Sequence, residues 1–155
     1  MFVLLNHLQR LRRSTPPQAG GRRGSLALRH VDAGSCNGCE HELTAAANPL
    51  YDLQQYGLNI VASPRHADVL LITGTVTTRM HDALLVAYQA MPEPRRVAAL
   101  GNCALGIDTL GTPDSFIGPV SVVLPVDLII PGCPPTPDQI AQALLTLIDG
   151  HLPST

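Results

Sequence analysis

Residues 67–74 read Ala67-Asp68-Val69-Leu70-Leu71-Ile72-Thr73-Gly74. Four apolar side chains follow one another with no polar residue between them, and a glycine closes the run. A strand that shows one face to water alternates polar and apolar residues; a strand covered on both faces does not. The stretch therefore predicts a buried strand in a parallel sheet. Moving outward, 58–62, 96–100 and 126–130 repeat the pattern as short apolar runs that end at or near glycine or proline. Between them, 81–91 carries Leu84, Leu85 and Tyr88 on one helical face and stops at Pro92. Residues 137–149 open on proline, place Ile140, Leu144, Leu147 and Ile148 at helical spacing, and meet Gly150. Strands alternating with helices predict an α/β fold: a flavodoxin-like parallel sheet of about four strands flanked by helices. Residues 104–121 read as a loop.

Charge divides the chain. All ten basic residues are arginines, and six of them (Arg10, Arg12, Arg13, Arg22, Arg23 and Arg29) precede the first acid, Asp32. Met1, Leu4, Leu5, Leu8 and Leu11 recur at helical spacing within this basic segment. The reading is an N-terminal amphipathic arm and linker over 1–30, followed by a domain over 31–155. An apolar face flanked by arginine suits a membrane surface or a partner groove. Arg12-Arg13 is followed by Ser14-Thr15-Pro16-Pro17 rather than an apolar run, which argues against an export signal. The expected location is the cytoplasm, where structural disulfides are rare.

Composition narrows the function classes. The chain has 155 residues, 45% of them hydrophobic, so a sizeable core is expected. A net charge of −2 argues against a general nucleic-acid binder. No apolar stretch approaches the roughly 18 residues of a membrane span. Charged residues make up only 14% of the chain, against about 25% in typical soluble domains. Partner subunits covering part of the surface would account for the difference.

The four cysteines carry the chemistry. Cys36-Asn37-Gly38-Cys39 is a Cys-x-x-Cys pair, Cys103 follows the strand at 96–100, and Cys133 follows the strand at 126–130. Ligands in parallel α/β sheets collect at the carboxyl ends of strands, so all four thiols can converge. Four thiolates suit an iron–sulfur cluster or a tetrahedral zinc ion. One close pair with two distant singletons favours the cluster over zinc, which more often takes two close pairs. From spacing alone a dithiol redox pair or simple packing of small side chains stays open.

Several further motifs occur in order around these cysteines: Cys36-Asn37-Gly38-Cys39-Glu40, Tyr51-Asp52, Gly57, Ser63-Pro64-Arg65-His66-Ala67-Asp68, Thr73-Gly74-Thr75-Val76-Thr77, Met91-Pro92-Glu93-Pro94-Arg95, Gly101-Asn102-Cys103, Val126-Asp127 and Pro131-Gly132-Cys133-Pro134-Pro135. Over about residues 30–150 the chain resembles the 20 kDa subunit of respiratory complex I and the related small subunits of energy-converting, group 4 [NiFe] hydrogenases. The resemblance implies one [4Fe-4S] cluster on Cys36, Cys39, Cys103 and Cys133 and an electron-transfer role within an oxidoreductase complex. It implies as partners a large catalytic subunit of [NiFe] hydrogenase or complex I 49 kDa type, a ferredoxin-like iron–sulfur subunit and membrane subunits, with the complex on the cytoplasmic face of the inner membrane. Complex I subunits of this kind carry two adjacent cysteines in the first motif. The Cys36-x-x-Cys39 spacing is the hydrogenase-like pattern, so a hydrogenase small subunit is expected; a complex I-like subunit serving quinone reduction and a zinc-binding structural subunit are the alternatives.

Other polar residues are weighed beside this. The resemblance makes Glu40 the candidate for proton delivery to a neighbouring site, while Glu42 reads as an acid favouring its helix dipole. His41 stands where the family often has a bulky apolar residue, and it could tune a cluster through charge or hydrogen bonding. Arg65 could place positive charge near a reduced cluster. Asp68 and Asp127 are expected to shape strand ends.

Overall fold

The computed structural model describes residues 24–107 and 115–149. Residues 1–23, which hold most of the expected arm, together with 108–114 and 150–155, lie outside the described residues. Five strands, β1 (Leu26–Asp32), β2 (Leu58–Ile60), β3 (Val69–Thr73), β5 (Arg96–Leu100) and β7 (Leu128–Ile130), form one sheet in the order β2-β1-β3-β5-β7. Every pairing is parallel. A separate antiparallel ribbon joins β4 (Val76–Thr77) to β6 (Phe116–Gly118). Without that ribbon, the sheet has the 2-1-3-4-5 order of flavodoxin-like folds.

Two apolar layers sandwich the sheet. On one face, helices α1 (Gly38–Ala46) and α4 (Pro137–Ile148) pack on Leu28, Val69, Leu71, Ala98, Leu100, Leu128 and Ile130. On the other, α2 (His81–Gln89) and the single turn α3 (Val120–Val123) cover Val31, Leu70, Ile72, Val97 and Ala99. Odd and even residues of β3 and β5 thus feed opposite layers, which is why those runs carry no polar residue before Thr73. Helix α4 begins where the sequence places it. Thr136 Oγ1 accepts from Gln139 N–H at 3.4 Å, and Gln139 Oε1 accepts from Thr136 N–H at 2.9 Å. This reciprocal capping box satisfies two orphan donors at the helix start.

The sheet has five strands where the sequence predicts about four. The additional one, β1, lies between β2 and β3, and the expected division at residue 30 falls inside it. Its Leu26, Leu28 and Val31 face the two layers, but Arg29 and His30 interrupt the apolar run and lend it the composition of the basic segment. The predicted loop 104–121 contains β6 and the first half of α3. A three-residue strand and a one-turn helix are too short to show a period. Asp68 and Asp127 do shape strand ends: Asp68 Oδ2 accepts from Ala27 N–H at 2.8 Å and Asp127 Oδ2 from Val97 N–H at 2.7 Å. Each carboxylate satisfies a backbone donor near the start of the neighbouring strand.

Leu144 is fully buried between α4 and the sheet. Leu144→Ala is expected to cost about 2–5 kcal/mol in urea unfolding. Val86→Ala, at a position 66% exposed on α2, is expected to change stability by no more than about 0.5 kcal/mol.

Candidate metal centre

Strands β1, β5 and β7 all deliver their following loops to the same edge of the sheet, and each of those loops carries cysteine. Cys36 lies in the turn between β1 and α1, Cys39 in the first turn of α1, Cys103 after β5 and Cys133 after β7. All four stand as thiols: Cys36 and Cys133 exposed, Cys39 half-buried, Cys103 buried.

Polar side chains hold each loop in place. Asp32 Oδ1 accepts from Gly34 N–H at 2.9 Å and from Ser35 N–H at 2.8 Å, turning the chain just before Cys36. Ser35 Oγ accepts from Asn37 N–H at 3.1 Å. Asn37 then adopts the left-handed conformation that starts α1. The Cys103 and Cys133 loops are clamped together, because Asn102 N–H donates to Gly132 O at 2.8 Å while Asn102 Oδ1 accepts from Gly132 N–H at 2.9 Å. Buried Thr75 donates to the Cys103 carbonyl at 3.0 Å. These bonds give turn backbone the partners that a sheet or helix would otherwise supply.

Two glycines are required by close approach. Gly74 has φ +76°, and a Cβ there would collide with the backbone of Gly34 and Ser35, so the end of β3 can touch the Cys36 loop only without a side chain. Gly101 has φ +89°, and its Cβ would occupy the space of Cys39 Sγ. Such positive φ values are the ones glycine adopts without steric cost.

Burial pushes the Cys39 thiol up to about 12, and the Glu40 carboxylate and the sulfurs of Cys103, Cys36 and Cys133 push it the same way. All three other thiols therefore lie within electrostatic reach of Cys39. Among the described residues, however, no three His, Cys, Asp or Glu side chains are gathered tightly enough to hold one metal ion. A mononuclear zinc site needs each sulfur about 2.3 Å from a common centre.

Beside Cys39 lies a polar cluster that sequence reasoning missed. Thr73 Oγ1 donates to Glu40 Oε1, and His30 Nε2 meets Thr73 Oγ1 at 2.9 Å. Glu40 Oε1 is 3.6 Å from His30 Nε2. Burial lowers the His30 pKa, against the opposing pull of Glu40 and Asp32. His30 is hidden in the sequence because its strand reads as part of the basic segment, and Thr73 because it ends an apolar run. The one available signal is that both occupy the carboxyl halves of neighbouring strands, with His30 opposite Leu71 and Asp32 opposite Thr73. His41 is exposed on α1. Arg65 is exposed in the short turn Pro64–His66 that leads into the amino end of β3. The five residues of β3, about 17 Å, separate that turn from the carboxyl edge, so the expected place near the cysteines does not hold for Arg65.

A five-stranded parallel sheet in the 2-1-3-4-5 order, with cysteines following three of its strands, defines an α/β protein of flavodoxin-like fold. The chain belongs to the NADH ubiquinone oxidoreductase 20 kDa subunit family, whose model matches residues 36–147. It is 39% identical over 120 residues to the "Probable membrane-bound hydrogenase subunit mbhJ" of Pyrococcus furiosus, covering 77% of this chain and 72% of that protein. It is 44% identical over 113 residues to formate hydrogenlyase subunit 7 of Escherichia coli K12, covering 73% of this chain and 44% of that protein. In structure it resembles a chain of the membrane-bound sulfane sulfur reductase, an archaeal respiratory membrane complex, with a TM-score of 0.69, 29% identity and coverage of 85% and 75%. It shares the fold of a chain of an NAD+-reducing [NiFe]-hydrogenase, with a TM-score of 0.64, 20% identity and coverage of 85% and 96%. Its relatives are thus subunits of hydrogenase-type or complex I-type oxidoreductases. No helix among the described residues is long and apolar enough to cross a membrane.

Gly101→Ala is expected to displace Cys39 and abolish most iron binding on anaerobic reconstitution. Gly38→Ala, whose Cβ would meet Cys36 Sγ at 3.4 Å, is expected to retain it. The raised Cys39 pKa sets a second expectation. Between pH 9 and about 12 the unfolded chain releases this proton while the folded chain keeps it, so stability of the metal-free protein falls as pH rises through that window. Denaturation of Cys39→Ser across the same range is expected to show a shallower fall.

Proposed function

We propose that the chain is the electron-transfer small subunit of a membrane-bound [NiFe] hydrogenase-type complex, with Cys36, Cys39, Cys103 and Cys133 holding one [4Fe-4S] cluster. The carrying observation is the gathering of every cysteine in the chain at one sheet edge, within electrostatic reach of Cys39. When bound, such a cluster supplies one-electron storage and release. The chain's own residues supply rigidity. Asp32, Asn102 and Thr75 fix the ligand loops, Gly101 admits the Cys39 sulfur, and the apolar layers exclude water from beneath. Fixed ligands limit reorganisation when charge changes.

Two features support a partner covering this edge. Cys36 and Cys133 are exposed, and Ile107, whose N–H donates to Asn102 O in the Cys103 loop, is 65% exposed. The partner is proposed to be a large catalytic subunit in which bond-making occurs, with a ferredoxin-like iron–sulfur subunit and membrane subunits completing a complex on the cytoplasmic face of the inner membrane. The Cys36-x-x-Cys39 spacing and the hydrogenase relatives favour this reading over quinone reduction.

Anaerobic reconstitution of the full chain is expected to bring in about four irons and four acid-labile sulfides, with an EPR signal on one-electron reduction. Cys103→Ser is expected to lose most of that iron. Protein that takes up one zinc and no sulfide, or no metal at all, would overturn the proposal. A copurifying large subunit with two nickel-binding Cys-x-x-Cys pairs is expected; its lack would redirect the assignment to complex I-type chemistry.

A further inference from the structure

Glu40 occupies the third helical position of α1, after the N-cap Asn37. An acid there ordinarily reaches back to the N-cap backbone N–H, as in a capping box. Here its side chain goes elsewhere. Glu40 Oε1 accepts from the hydroxyl of Thr73, a residue with no solvent exposure at the last position of β3. Glu40 Oε2 is buried and has no hydrogen-bond partner, so the orientation of the carboxylate depends on the Oε1 contact.

The direction of the hydrogen bonds follows from proton counting. Thr73 has one hydroxyl proton, and a carboxylate has none to donate. That proton lies on the Glu40 side, so Thr73 Oγ1 accepts from His30 Nε2–H at 2.9 Å. The chain therefore runs from His30 through Thr73 to Glu40. His30 Nε2 is 3.6 Å from Glu40 Oε1, too far for a direct hydrogen bond. Thr73 is the hydrogen-bonded link between them.

We propose that His30 and Thr73 are positioning residues that lock the Glu40 carboxylate beside Cys39, so that one negative charge is held at a set place next to the cluster. The inference rests on the cluster reading given above. Released, the side chain of Glu40 would turn to water, where its charge is screened. Held between α1 and the ends of β1 and β3, it acts at short range. Cluster potentials respond to nearby charge, hydrogen bonding and solvent exposure, so the lock lowers the potential of the site.

The test is a potentiometric EPR titration, at one fixed pH, of the anaerobically loaded full chain in its purified complex, with iron and sulfide assayed for every variant. Glu40→Gln is expected to raise the midpoint potential. Thr73→Val, which removes the hydroxyl and keeps the shape, is expected to raise it by at least half as much. The double variant is expected to match Glu40→Gln alone, and Thr73→Ser to match the wild type. His30→Leu, which keeps Thr73 but removes its donor, gives an independent reading if Thr73→Val does not load iron; it too is expected to shift upward, with no added shift in the Glu40→Gln background. Loaded variants at the wild-type potential, or shifts that simply add to that of Glu40→Gln, would overturn the lock. A wild-type chain without iron and sulfide would instead overturn the cluster reading on which it rests.

Discussion

The parallel direction of β1, β5 and β7 is the constraint on which the rest depends. Each strand of a parallel sheet sends its following loop to the same edge. Cys36, Cys103 and Cys133 follow those strands within a few residues, so three stretches remote in sequence arrive at one place without long excursions. Reversing one strand would send its cysteine to the opposite edge, about 17 Å away for a strand of five residues. The buried Val, Leu and Ile of β3 and β5 impose the direction indirectly. A sheet covered on both faces needs crossover helices, and right-handed crossovers return every strand parallel.

Direction alone leaves the loops loose, and loops are ordinarily the mobile part of a fold. Here polar side chains anchor them. Asp32 turns the first loop, Asn102 clamps the second to the third, and Thr75 ties the Cys103 carbonyl to the segment after β3. The close approach at Gly74 and Gly101 brings the loops together in the space a methyl group would take. The result is a rim whose turn backbone finds its hydrogen-bond partners within the chain.

Electrostatics on the rim are uneven. Glu40 lies close enough to raise the Cys39 pKa, and its partners Thr73 and His30 come from the two strands beneath it. On the outer side, Cys36 and Cys133 face solvent. Exposed thiols, the exposed Ile107 beside the Cys103 loop and a low share of charged residues are consistent with the proposed partner over this edge. That reading agrees with relatives that are subunits of larger oxidoreductases.

The sequence by itself determined the α/β class, because continuous apolar runs and helical spacing depend only on local order. It also placed Cys103 and Cys133 just past strand ends, where the structure has them, because position along the chain after an apolar run is a local feature. It did not reveal β1, whose Arg29 and His30 mask an apolar pattern that becomes meaningful only when β2 and β3 flank it. Nor did it reveal the chain from His30 through Thr73 to Glu40, or the clamp at Asn102. Those contacts join residues 30 or more positions apart, and no local pattern encodes them. Tertiary structure alone decided that Arg65 lies at the far end of β3, because proximity along the chain says nothing about which end of a strand a turn occupies.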